Sequence, residues 1–369
     1  MLKVCTFEEF IHICNIENGI ICIGVGNRFD ALKEMPEGRI ILKHVAYLAD
    51  NDNNKQKTLI SLGDRKLEIK SLRDINNLVI QKMVILITCY AYLEILEQIE
   101  QYESLRNLDI FCLTHMLAFR AEEKAMEKEI PFQIRLSDEP LIPKKIHYCW
   151  FGGNPLPDRY KKWMESWSKY CPDYEIIEWN EGNYDITKNR YMLQAYEQKK
   201  WGFVPDYARL DIIYNYGGIY LDTDVELIQN IDDLLYQEAF AGFESENYVC
   251  FGLGFGAIKG HPLIKELRDD YESREFINLD GSLNLVASPA LQTEVLRKKG
   301  LICNGKYQKI ANMMIYPEKM FSGKSIYTRR IRVKSYTRSI HHFDGSWLSE
   351  KNRKSIIKLE EDINSINLY

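Results

Sequence analysis

Two carboxylates stand one residue apart in Asp222-Thr223-Asp224, directly after the apolar run Ile219-Tyr220-Leu221 and a Gly217-Gly218 pair. On a regular strand, residues two apart point the same way. At a strand end both side chains can therefore converge on one hard cation, with a diphosphate supplying further oxygens. A divalent cation there would neutralise the charge that grows on a nucleoside diphosphate as it departs. Asp-x-Asp alone recurs by chance in loops. Its place after an apolar strand introduced by Gly-Gly sets it apart from a solvated strand end. Upstream, Asp206 and Arg209 are three apart on a helix predicted from Pro205 to Tyr216, so they share a face. Proline suits the first turn of such a helix. A carboxylate beside a guanidinium can read sugar hydroxyls, one accepting and one donating hydrogen bonds, although the spacing alone favours a surface ion pair.

Taken together, Asp206, Arg209, Gly217, Gly218, Ile219, Tyr220, Asp222 and Asp224 resemble the shared pattern of the family 32 glycosyltransferases. These are bacterial relatives of the yeast α-mannosyltransferases and, more distantly, of the glucosylating clostridial toxins. The resemblance spans roughly residues 142–348 and its combined motif is specific. It implies a GT-A fold, Mn²⁺ or Mg²⁺ at Asp222 and Asp224, a nucleotide-sugar donor, and retention at the anomeric carbon. It also implies that Asp206 and Arg209 hold the donor sugar, with Tyr220 and Thr223 beside it.

Two flanking pieces agree. In Ile146-His147-Tyr148-Cys149-Trp150-Phe151-Gly152-Gly153, a strand runs into a glycine turn, and Trp150 matches the position where toxin-like relatives stack a tryptophan on the nucleotide base. Such stacking contributes ~1–3 kcal/mol; a tryptophan packed in the core is the plainer reading. A UDP-sugar is the first expectation and a GDP-sugar the second. His147 reads as a core histidine. In Ile340-His341-His342-Phe343-Asp344-Gly345-Ser346-Trp347, His342 fits the His-x-x-Gly pattern of a third metal ligand, with His341 the alternative. Imidazole is a competent Mn²⁺ ligand. By the same resemblance Ser346 and Trp347 close over the diphosphate. No carboxylate stands out as a nucleophile, which predicts a front-face displacement. The departing diphosphate takes the acceptor's proton, and the protein positions groups and stabilises charge.

The elements around these motifs predict an α/β chain of two domains. Residues 1–138 read as a smaller Rossmann-like parallel-sheet domain and 139–369 as a GT-A catalytic domain. In the first, strands at 19–24, 45–50, 67–69, 83–88 and 109–113 alternate with helical stretches. Gly24-Val25-Gly26 after the first strand, and Asp50 after the second, are laid out as in a dinucleotide fold, but Phe29 sits where the third glycine belongs. A degenerate domain used for assembly or protein contacts is the expectation.

With 46 % hydrophobic and 27 % charged residues the chain is ordinary for a globular protein. Nine cysteines, odd in number and mostly in apolar runs, read as free thiols. The start lacks the pattern of a signal peptide, so the expected location is the cytoplasm, with the inner face of the membrane within reach. A net charge of −5 argues against a nucleic-acid partner. The expected partners are a nucleotide-sugar donor and a glycan or lipid-linked acceptor in surface polysaccharide synthesis. Peripheral membrane contact and homo-oligomer formation stay open. The basic stretch Lys324 to Arg338 reads as a solvated hairpin face, or as a cover for a diphosphate, an anionic lipid-linked acceptor or a membrane. Gly252 to Gly256 is expected to line the site floor. The alternatives to a surface-glycan enzyme are an effector that glycosylates a protein and an inactive scaffold.

Overall fold

The computed structural model describes residues 2–16, 19–78, 82–126, 131–345 and 350–365. The chain divides into two compact units, Met1–Lys128 with Leu348–Tyr369, and Glu129–Trp347. Both are α/β with sheets that contain parallel strands, as the sequence predicts.

The first unit is built on strands β1 (Ile20–Ile23), β2 (Val45–Ala49), β3 (Leu59–Leu62), β4 (Arg65–Lys70), β5 (Val84–Ile87) and β6 (Asp109–Cys112), in the order β3-β4-β2-β1-β5-β6. All pairings are parallel except the β3–β4 hairpin. Every residue of β1 and β5 is buried, which is why both read as unbroken apolar runs, as central parallel strands do. The β3 strand, with its exposed alternation, carries no such run. The helix Leu113–Met126 leaves β6 directly. The C-terminal helix Glu350–Ser365 also belongs here: Asp362 accepts a hydrogen bond from Tyr92 Oη at 3.3 Å and lies 3.4 Å from His115 Nε2.

The division therefore differs from the expected 138/139 boundary at both ends of the second unit. Residues 132–142 pack with that unit. Phe132 stacks on Tyr307, and the amides of Leu136 and Ser137 donate to the Tyr236 carbonyl. Ser137-Asp138-Glu139-Pro140, where that boundary was expected, is a surface turn inside the unit.

The second unit contains β7 (Lys145–Cys149), β8 (Glu175–Trp179), β9 (Gly218–Tyr220), β10 (Val225–Leu227), β11 (Ala239–Phe243), β12 (Val249–Cys250), β13 (Phe255–Ala257), β14 (Gln308–Ile310), β15 (Met313–Tyr316) and β16 (Ser339–His341). Its main sheet runs β14-β15-β11-β13-β9-β7-β8, with β12 on β11, and β10 pairs with β16 in a two-stranded ribbon. The parallel pairs β7–β8, β7–β9 and β11–β15 meet antiparallel partners at β13. The helix Pro205–Tyr216 lies against this sheet and is buried from Asp206 through Ile213. A helix apolar on one stripe only would leave polar residues in water; here Asp206, Arg209 and Asp211 are enclosed with the rest.

The helix ends at Gly217, and the next residue must turn straight into β9. Gly217 has φ 67° and Gly218 φ 108°, and a Cβ on Gly218 would lie 2.9 Å from His147 Nε2. Only glycine fits both the backbone and the space. All nine cysteines are free. Among the described residues no helix is long and apolar enough to cross a membrane.

Candidate functional site

Asp222 and Asp224 do not sit on the pleat of a strand. They occupy the turn between β9 and β10, closed by the Val225 amide donating to the Asp222 carbonyl at 3.1 Å. The turn still brings them together, and a third group arrives from the ribbon partner. In the β10–β16 register His341 lies opposite Val225. Its Nε2 is 3.1 Å from Asp224 Oδ1. Ligand-capable atoms of Asp222, Asp224 and His341 all lie within 4.8 Å of one another.

His342, the residue expected at the metal, points the other way. Neighbouring strand residues alternate faces, so His342 stacks on Trp163 with centroids 4.0 Å apart and bonds Glu226 Oε2 at 2.9 Å. The alternative, His341, is the one that meets the aspartates. The His-x-x-Gly spacing carries no information on which face a residue takes.

The electrostatics of the cluster follow from burial and from the charges it brings together. Burial pushes the Asp222 carboxyl up; Arg209 opposes this and the charge of Asp224 adds to it. Burial would raise Asp224 too, but the His341 charge and the Asp344 amide outweigh it and hold Asp224 at about 2. His341 is lowered by burial yet raised overall by Asp224. Its Nδ1 is buried with no partner among the described residues. Two carboxylates and an imidazole form a donor set suited to Mn²⁺, and the carboxylates suit Mg²⁺.

Asp206 and Arg209 are drawn into the same centre. Their side chains are only 4 % and 5 % exposed, and Arg209 Nη2 lies 3.1 Å from Asp206 Oδ1 and 3.6 Å from Asp222 Oδ1. This is a buried bridge between helix and turn, not a surface pair. Burial raises the Asp206 carboxyl to about 7 against the pull of Arg209 and a bond from Ser288. Tyr220 is buried in β9 and its hydroxyl donates to Asp222 Oδ1 at 3.0 Å, so it supports the aspartate from behind. Thr223 is half-buried at the tip of the turn. In the stretch expected to line the site floor, the Gly252 carbonyl accepts from the Asp222 amide at 3.2 Å. A Cβ there would come within 2.2 Å of Asp222 Oδ2.

Trp150 is half-buried at the exit of β7. Its indole N–H donates to the Asn154 carbonyl at 2.6 Å and its ring meets Tyr160 edge-on. His147 is a satisfied core residue. Its Nε2 bonds the Gly217 carbonyl at 2.9 Å, its Nδ1 accepts from Trp179 Nε1 at 3.1 Å, and burial lowers it to about 4. Ser346 and Trp347 lie outside the described residues.

The sequence reading missed several groups. Asp344, quoted in the C-terminal motif without a role, has its amide on Asp224 Oδ2 at 3.0 Å. Its carboxylate is held by Arg159 at 2.7 Å and Tyr160 at 2.5 Å. The loop after His341 is thus clamped to the helix Asp158–Tyr170. Glu244, just past β11, is a spare acid close enough to His341 for their charges to couple. Burial raises it to about 7, opposed by His341 and a bond from Cys250. A lone glutamate after a strand carries no motif. Only the pairing of β11 with β12 places it beside Cys250.

At the ends of the first unit's strands the outcome differs. Asp50 accepts from the amides of Val25 at 2.7 Å and Asp52 at 2.9 Å, and Lys55 Nζ lies 3.4 Å away while donating to the Val25 carbonyl. Phe29 is fully buried in the helix Asn27–Glu34.

Residues 157–241 match the family described as glycosyltransferase sugar-binding region containing DXD motif. Inositol phosphoceramide mannosyltransferase 3 of Schizosaccharomyces pombe is 30 % identical over 139 residues, covering 37 % of this chain and 38 % of its own length. Mannosyl phosphorylinositol ceramide synthase SUR1 of Saccharomyces cerevisiae is 30 % identical over 152 residues, 38 % of this chain and 39 % of its own. Subversion of eukaryotic traffic protein A of Legionella pneumophila is 27 % identical over 169 residues, 36 % of this chain and 26 % of its own. The chain spans well under two-thirds of the length of these curated relatives. Among solved structures, PaToxG glycosyltransferase overlays on 44 % of this chain and 71 % of its own, at 17 % identity and a TM-score of 0.34.

Proposed function

We propose that this chain, a sugar-binding-region glycosyltransferase of the family 32 type by its residues 157–241, moves a hexose from a nucleotide sugar to a glycan or lipid-linked acceptor with retention of configuration. The observation that carries the reading is the convergence of Asp222, Asp224 and His341 on one point, with the buried Asp206–Arg209 pair bridged to it. Mn²⁺ or Mg²⁺ held by those three side chains would supply charge neutralisation for a departing diphosphate.

The chain's own groups do the rest. Asp206 accepts hydrogen bonds from sugar hydroxyls, and Arg209 keeps both Asp206 and Asp222 in place. Tyr220 fixes the Asp222 carboxylate, and the Asp344 amide fixes Asp224. Trp150 offers a face to the nucleotide base, which favours a UDP-sugar; a GDP-sugar is the second choice. The acceptor hydroxyl attacks on the face the diphosphate leaves from, and its proton passes to a diphosphate oxygen. Glu244 stands near this centre, but no motif links it to the donor site, so the front-face route is kept. The relatives whose printed names specify mannosyl transfer to inositol phosphoceramide support a lipid-linked hydroxyl as acceptor. The setting we assign is surface polysaccharide synthesis on the cytoplasmic side of a membrane.

A thermal-shift screen of nucleotide sugars with Mn²⁺, followed by a hydrolysis assay on the hits, tests this. A ligand that binds only the folded state raises the melting temperature. One nucleotide class should stabilise the protein in a Mn²⁺-dependent manner and be hydrolysed slowly. No stabilisation by any nucleotide sugar and no metal-dependent hydrolysis would overturn the reading.

A further inference from the structure

Around Asp206, four buried polar atoms have no hydrogen-bond partner among the described residues: Tyr191 Oη, Tyr271 Oη, and both Oε1 and Nε2 of Gln292. The three side chains are 0 %, 1 % and 1 % exposed. They come from three elements, the helix Arg190–Glu197, the turn Asp270–Ser273 and the helix Ser288–Lys298. The two tyrosine rings meet edge-on with centroids 5.2 Å apart. Burial pushes both phenols up and the charge of Asp206 adds to it, so both keep their protons and lie close enough to Asp206 to feel its charge. Gln292 stands one turn after Ser288, whose hydroxyl bonds Asp206. Residues four apart share a helix face, so Gln292 is presented on the side of the same carboxylate.

A buried polar atom left unpaired costs about 1–3 kcal/mol, and native cores keep few of them. Phenylalanine at 191 and 271 and leucine at 292 would remove that cost at little change in shape. The chain keeps instead two hydroxyls and an amide, neutral donors and acceptors beside one carboxylate, which is the complement of a ring of hydroxyls. The guanidiniums that share this region, Arg209 and Arg274, are engaged by Asp206 with Asp222 and by Asp270. The groups on offer therefore suit an uncharged hexose and not a sugar acid. Asp206, only 4 % exposed at its side chain, is as enclosed as they are. A movement that admits a sugar to Asp206 opens this chamber with it.

We propose that Tyr191, Tyr271 and Gln292 bind hydroxyls of an uncharged donor hexose alongside Asp206, and that the free chain holds them unpaired at a cost in stability. The proposal rests on the transferase reading of the site and adds to it the class of sugar and the side chains that select it.

The test compares Tyr191→Phe, Tyr271→Phe and Gln292→Leu with the parent chain by melting temperature, by binding of UDP and GDP with Mn²⁺, and by hydrolysis of UDP-glucose, UDP-galactose, GDP-mannose and UDP-glucuronic acid. The parent should hydrolyse one of the three neutral-sugar nucleotides at least about tenfold faster than UDP-glucuronic acid. Each variant should melt no lower than the parent, bind the nucleotide as the parent does, and lose about tenfold in kcat/KM. Should Gln292→Leu melt early, the two tyrosine variants, each short of a single atom, carry the test. Hydrolysis within about twofold of the parent in all of them overturns the proposal, as does a preference for UDP-glucuronic acid. A lower melting temperature with hydrolysis unchanged also overturns it, since internal water would then be what meets these atoms. A parent that neither binds nucleotide with Mn²⁺ nor hydrolyses any of the four donors would overturn the transferase reading itself, and this proposal with it.

Discussion

Each unit places acid just past the end of a parallel strand, Asp50 in the first and Asp222 with Asp224 in the second, and the two sites are treated differently. Asp50 is consumed by its own chain: two backbone amides and Lys55 satisfy it, and it serves to close the Gly24-Val25-Gly26 turn. Asp222 and Asp224 are held by a hydroxyl, an arginine and an amide from outside their own turn. They still leave a shared centre where their charges repel and where His341 Nδ1 has no partner among the described residues. A buried polar group without a partner costs free energy. A cluster that keeps such a cost is one where a ligand is expected to meet it, whereas a cluster with every group satisfied is structural. The comparison thus separates two sites that sequence punctuation makes look alike.

The largest effect should come from removing a charge at the unsatisfied centre. Asp222→Asn or Asp224→Asn keeps the shape and removes one anion. Metal-dependent nucleotide-sugar hydrolysis should fall by about a thousandfold or more, in line with several kcal/mol of charge stabilisation. Circular dichroism should be unchanged. Hydrolysis at the parent rate in either variant would erase the distinction between the two strand ends.

The next effect separates the two histidines. His341→Ala should weaken Mn²⁺ binding about 10–100-fold by electron paramagnetic resonance titration. His342→Ala, which loses the Trp163 stack and the Glu226 bond, should change it by less than about fivefold. The reverse order would return the third ligand to the residue the sequence pattern favours.

How far the sequence could be read follows from the same particulars. The helix Pro205–Tyr216, the Gly217-Gly218 break and β9 were legible because local rules act there: proline at the first turn, no room for Cβ, an apolar strand. The pairing of Asp206 with Arg209 was legible as a spacing but not as a burial, since the helix is enclosed all round and shows no polar face. His341 against His342 depends on the register of β16 with β10, more than a hundred residues earlier in the chain. Glu244 and Asp344 depend on long-range pairing in the same way. The unit boundary was misplaced because Phe132 packs on Tyr307 and the last helix folds back on the first unit, contacts that leave no local mark.

A smaller effect tests whether Glu244 belongs to the unsatisfied group. In the folded chain it keeps its proton up to about pH 7, whereas in an unfolded chain it releases it near the ordinary glutamate range of about 4.3. Folded stability from this group is therefore present at low pH and lost as pH rises from about 5 to 7. Glu244→Gln, neutral throughout, should flatten that part of the melting curve against pH by about 2–4 °C without metal. An identical pH profile would mean that Glu244 is already ionised and better solvated than its surroundings indicate.

The smallest effect on activity, and the sharpest test of the other side, is Asp50→Ala. It leaves the Val25 and Asp52 amides without their acceptor, while Lys55 keeps the Val25 carbonyl; this should cost about 1–3 kcal/mol in the first unit, seen as earlier unfolding in urea. If Asp50 is structural, transfer in the second unit should be unaffected and no nucleotide should co-purify with the parent chain under gentle mass spectrometry. A nucleotide that co-purifies, and is lost in the variant at unchanged stability, would show that Asp50 can give up its own amides for a ligand. Being satisfied in the free chain would then no longer distinguish a structural strand end from a binding one.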